Sequence, residues 1–139
     1  MGQQQLLLII LGVIVVGIAV AVGITLFSDN AVNANRDAVS NDLVNFAARA
    51  QQYYRRPTAL GGGGNSFAGI TADAPGLAKL TNIASGKNAN GTYTIKTAGT
   101  LNQVVVEGVG TETAPDGSKV TMDIFCRDAG RTDSLVVLH

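Results

Sequence analysis

From Leu6 to Phe27 the chain reads LLLIILGVIVVGIAVAVGITLF, 22 residues without a charge. At about 1.5 Å per helical residue this stretch spans roughly 33 Å, enough for the hydrocarbon core of a bilayer. A helix that is apolar on every side must be surrounded by lipid or by protein. A cleaved secretory signal fits poorly, because no Lys or Arg precedes the run and its length exceeds a signal's apolar region, although Ala19-Val20-Ala21 has the form of a cleavage site. A membrane anchor and a helix that packs on other helices both fit. Gly17 and Ala21 are four apart, as are Ala19 and Gly23, and Gly12 precedes them. Small residues at that spacing let helices approach closely, and glycine is also simply commoner in membrane helices.

After Phe27 the sequence turns polar without a stop. Val32, Val39, Leu43, Phe46, Ala50 and Tyr53 recur at helical spacing, one apolar stripe among polar residues. Ser28 or Asp29 could cap a new helix, but neither Gly nor Pro ends the old one, so the simpler reading is a continuous rod. Pro57, the first proline, marks its end. A helix from Leu6 to Arg56 would run roughly 75 Å, with 6–27 as a transmembrane or packing segment and 28–56 as an amphipathic one.

Residues 57–139 then form a head. Its first part, 57–90, is loop by composition, with Gly61-Gly62-Gly63-Gly64, Pro75-Gly76 and Ser85-Gly86 around one candidate helix near Pro75 to Ile83. The four glycines lack the Lys-Ser or Lys-Thr of a phosphate cradle, and a flexible loop is expected there. From Gly91 the period changes to two. Tyr93, Ile95 and Thr97 alternate with polar neighbours, then come Leu101 to Glu107, Val120 to Arg127 and Leu135 to Leu138, separated by turns at Pro115-Asp116-Gly117 and Asp128-Ala129-Gly130. The expected fold class is α+β: a long N-terminal helix packed on a small C-terminal four-stranded antiparallel sheet. The stripe of Val39, Leu43, Phe46, Ala50 and Tyr53 is expected to cover the sheet's apolar face. Cys126, on one strand face with Met122 and Ile124, reads as a small buried hydrophobe.

Ten basic and ten acidic side chains cancel, and no run of one sign suggests nucleic acid as a partner. A single cysteine excludes an intrachain disulfide, and with one histidine, His139, the usual metal spacings are absent. Neither a metal nor a cofactor is expected. Asp116, Asp123, Asp128 and Asp133 are dispersed near turns and strands, without the spacing of a calcium loop. No nucleophile, base and orienting group can be assembled, so an enzyme is not expected. Asn90-Gly91-Thr92 reads either as an N-glycosylation acceptor or as a turn before the Tyr93 strand.

The layout of bare apolar half-helix, amphipathic continuation and small sheet, opening with Met1-Gly2-Gln3-Gln4-Gln5-Leu6-Leu7-Leu8-Ile9-Ile10-Leu11-Gly12, resembles a type IV pilin or a related pilin-like filament subunit. The layout covers the whole chain; the likeness residue by residue covers only the N-terminal segment. The resemblance implies a subunit held in the inner membrane until assembly machinery extracts it, then polymerised as a helical homopolymer into an extracellular filament. The filament core would then be packed by Leu6, Leu7, Leu8, Ile9, Ile10, Leu11, Val13, Ile14, Val16, Gly17, Ala21 and Ile24. Gln3, Gln4 and Gln5 would serve N-terminal docking or flank the membrane interface. If Met1 opens the mature chain, Gln5 holds the place where many family members carry a glutamate; cleavage after Gly2 is the other reading. The helix-breaking proline and the two-cysteine loop of many pilins are absent, which leaves Gly12, Gly17 and Gly23 as the points of lowest helix propensity. The alternatives are a monomeric single-pass membrane-anchored binding module and a secretion-system pseudopilin.

Overall fold

The computed structural model describes residues 2–81, 85–128 and 132–138, the last of these by backbone only. One helix, α1 (Gly2–Arg55, 54 residues), runs without a break through the apolar and polar halves of the N-terminal segment, roughly 80 Å at helical rise. No proline interrupts it, and its glycines are too isolated to stop a helix whose neighbours are Leu, Ile, Val and Ala. A 3₁₀ turn, η1 (Thr58–Leu60), and a short helix, α2 (Ala74–Leu80), follow. The sheet has β1 (Gly91–Thr97), β2 (Gln103–Thr113) and β3 (Lys119–Arg127), antiparallel in chain order, and the backbone of β4 (Thr132–Leu138) lies antiparallel beside β3. The α+β class thus holds in its coarse form, a long N-terminal apolar helix with a small antiparallel sheet. The side chains of the expected last strand, with Ile83, Ala129, Gly130 and His139, lie outside the described residues.

The head is built on the second half of α1. Val32, Asn35, Val39, Leu43, Ala47 and Ala50 are buried, at steps of three and four that keep one helix face on the sheet. They meet Tyr93 and Ile95 of β1, Val104 and Val106 of β2, and Met122, Ile124 and Cys126 of β3, with Phe67, Ile70, Leu77 and Leu80 closing the core from the loops and α2. Each large side chain so buried stabilises the head by roughly 1.5–3 kcal/mol relative to exposure. Phe46 and Tyr53, expected at the centre of the stripe, lie at its flanks and are only partly buried, while the smaller Ala47 takes the central place. Phe46 instead meets the Tyr93 ring edge-on at a centroid distance of 4.8 Å.

Two corrections concern glycine. The second strand does not end at Glu107 but continues through Gly108 and Gly110 to Thr113. These glycines belong to the strand because α1 crosses closest there: a Cβ on Gly108 would stand 2.9 Å from Val39 and 3.0 Å from Tyr93, and one on Gly110 would stand 2.0 Å from Asn35 Oδ1. The four-glycine run, expected to be a flexible loop, is the C-terminal cap of α1. The N–H groups of Gly63, Gly64 and Asn65 donate to the carbonyls of Tyr53, Arg56 and Tyr54 at 2.8, 2.9 and 2.7 Å, satisfying carbonyls that a helix end otherwise leaves unpaired. Gly61, Gly64 and Asn65 take positive φ, and Gly63 passes so near Ser66 that a Cβ would meet its carbonyl at 1.8 Å.

Candidate self-association surface

From Gly2 to Phe27 every residue of α1 is exposed except Gly23, which is half-buried. Sixteen large apolar side chains are exposed between Leu6 and Phe27, with Leu7 at 71% and Phe27 at 82%. Left in water, such a surface would cost on the order of tens of kcal/mol. The segment is long and apolar enough to cross a membrane. Leu6, Leu7, Leu8, Ile9, Ile10, Leu11, Val13, Ile14, Val16, Gly17, Ala21 and Ile24 all lie on this bare half, spread around the helix rather than gathered on one face. Gly12, Gly17 and Gly23 are helical, and a Cβ on any of them would meet nothing within 4 Å beyond its chain neighbours and the backbone of its own helix. Gln3, Gln4 and Gln5 are exposed in the opening turns, where the first N–H groups of a helix have no intrahelical partner and where no carboxylate meets the positive end of the helix dipole.

Polar side chains of the covered half tie α1 to the sheet. Asn35, 8% exposed, donates from Nδ2 to the Asn90 carbonyl at 2.8 Å, and its Oδ1 accepts from the Glu112 N–H at 3.4 Å. One helical residue thereby ties the start of β1 to the end of β2. Two turns on, Asp42 Oδ2 accepts from Tyr93 Oη at 2.6 Å, Asn88 Nδ2 at 2.8 Å and Asn90 Nδ2 at 2.9 Å. Burial alone would raise the Asp42 pKa, but the hydrogen bonds from Asn90, Tyr93 and Asn88 together outweigh it and hold the carboxyl below its ordinary value of 3.8. The same contact, with burial as the larger cause, pushes the Tyr93 hydroxyl well above its usual range. Sequence periodicity missed both clamps, because Asn35 and Asp42 are polar. The signal was present for Asn35, which falls three residues after Val32 and four before Val39.

This network also gives Asn90 a local role. Its amide nitrogen, the atom a glycan would need, is committed to Asp42, and its carbonyl accepts from the Thr111 N–H at 3.2 Å as well as from Asn35. Asn90 is a fold residue at the mouth of β1. On the sheet's other face, Lys96 pairs with Asp123 at 2.6 Å and Glu107 at 3.1 Å across three strands. Asp123 is the larger cause, and Glu107 the second, of a Lys96 pKa above the ordinary value. Cys126 is fully buried on the face with Met122 and Ile124, and burial pushes its thiol up to about 11. Among the described residues no group of His, Cys, Asp and Glu comes together to hold a metal.

No family model, no characterised protein and no solved structure matches the chain. Its functional reading therefore rests on its own geometry.

Proposed function

We propose that the chain is a structural subunit of a type IV pilus-like helical filament, polymerising through Leu6 to Phe27. The observation that carries this reading is the division of α1: one half is buried in a head that closes its own core, and the other half has no partner among the described residues. Lipid would cover the bare half before assembly and copies of the same segment afterwards, since both environments accept an uncharged surface. Subunits inserted in one membrane point the same way, and a contact between two different patches of such subunits builds an open filament when each copy is also raised along the axis, so that the rotation never closes. The sheet, with β4 as its outer strand, would then face outward from a core of helices. A structural role also agrees with a head whose polar clusters, Asp42 with Asn88 and Asn90, and Lys96 with Asp123, are spent on one another.

Immunogold labelling of the native cells with antibodies against the head tests the proposal. Label along thin surface filaments is the expected result. Label confined to the cell body, with the chain in the membrane fraction, would favour the single-pass anchored module, which the length and apolarity of the span alone also support.

A further inference from the structure

The two ends of the head differ in charge. At the end away from the bare helix, Arg49, Gln52, Tyr53, Arg56 and Lys79 line a cleft of about 200 Å³ that no carboxylate enters. Lys79 is fixed there by its hydrogen bond to the Gly69 carbonyl and by its place 5.8 Å over the Tyr53 ring. Leu60 and Leu101 are exposed at the same end, at 71% and 68%. At the end next to the bare helix, roughly 40 Å away along α1, Asp29 and Asp116 line a second cleft of about 380 Å³. Exposed Glu112, whose N–H bonds Asn35, lies at this end too. Arg36 and Lys119 share that cleft, so its acid is balanced rather than alone, whereas the residues lining the far cleft carry only positive charge, with Asp73 outside the lining but close enough to Lys79 to act on it.

Packing of the bare helices brings these two ends together. Parallel helices in contact stand 8–10 Å apart. The head is broader than that, because strands about 4.8 Å apart are laid side by side over α1. Two chains with touching apolar halves avoid a clash either by turning their heads to opposite sides of the helix pair or by displacement along the axis, and in a helical filament successive copies are displaced. The far end of the lower head then faces the near end of the upper one.

Resting on the filament reading above, we propose that the basic far rim, Arg49 and Arg56 with Lys79, docks against Asp29, Glu112 and Asp116 of a second copy. This contact sets the direction and stagger of the heads. Complementary charge of this kind chooses partners and register more than it adds affinity. The bare helix supplies the adhesion, and the rims decide where along it the next copy stops.

Three variants in the native cells test this: Arg49→Glu with Arg56→Glu, Asp29→Lys with Glu112→Lys, and all four together. The four residues are exposed, and circular dichroism of each purified chain reports whether the head is intact. Each double variant is expected to lower the yield of sheared filaments by about tenfold or more, and the fourfold swap to restore it to within about threefold of the parent. Equal yields from parent and both double variants would overturn the charged contact while leaving the filament reading standing. Loss in the doubles without restoration in a folded fourfold swap would overturn it as well. Absence of filaments from the parent itself would remove the filament reading and this contact with it.

Discussion

The two halves of α1 share one secondary structure and have opposite fates. Leu7 is 71% exposed and Leu43 is 0% exposed, yet both belong to the same unbroken helix of similar local propensity. Glycine repeats the contrast. A side chain on Gly17 would enter empty space, whereas one on Gly110 would enter Asn35. Helix formation is thus a property of the local sequence along all 54 residues, and the difference lies in what covers each half. The covered half is satisfied by its own chain through a stripe and two polar clamps. Only lipid or other protein can satisfy the bare half.

That contrast is broken most severely by a charge on the bare half. Leu8→Arg is expected to abolish filaments, because an arginine there leaves an unpaired charge in a packed core of apolar helices. The thermal unfolding of its head in detergent should match the parent. A matching core deletion on the covered half, Leu43→Ala, should do the reverse. It is expected to lower head stability by about 2–5 kcal/mol in denaturant titration of the full chain, with the helical signal of the bare half retained.

Glycine substitutions sharpen the comparison at smaller scale. Gly110→Ala should destabilise the head by about 1–3 kcal/mol through its clash with Asn35. Gly17→Ala should leave head stability unchanged and slow amide exchange in the bare half by the few tenths to about 1 kcal/mol of added helix propensity. Equal effects of the two substitutions on the head would contradict the division.

Acid should also separate the halves, since the stretch from Leu6 to Phe27 has no titratable side chain. The Asp42 carboxyl is depressed in the folded head, so its contribution is fully present above the ordinary value of 3.8 and is lost as pH falls through the lower folded value. Melting of the head followed from about pH 6 to about pH 2 should show this loss, and Asp42→Asn should flatten that part of the profile. The smallest effect is expected at Cys126. With its thiol pushed up to about 11 by burial, it should stay unalkylated at neutral pH until the head is unfolded.

The long helix, its end before Pro57 and the alternating strands could be read from the sequence because each rests on a local pattern: an uncharged run, a 3.6-residue stripe, a two-residue alternation. What escaped were residues whose role depends on distant partners. Gly61 to Gly64 looked flexible because nothing local says that they fold back over the last turn of α1. Gly108 and Gly110 looked like the end of a strand because their reason is a helix some seventy residues earlier in the chain. Asn35 and Asp42 broke the apolar rule, and only the position of β1 and β2 shows why a polar side chain belongs there. The helix of the bare half, by contrast, could be read from its own run of residues, since among the described residues nothing buries the stretch from Leu6 to Phe27.

Electron cryomicroscopy of filaments sheared from the native cells, with mass spectrometry of their subunit, tests the central claim most directly. The account predicts filaments of this chain with Leu6 to Phe27 of every copy gathered at the centre and the sheets outside. Filaments that lack the chain, or that contain it with these residues facing solvent, would contradict it.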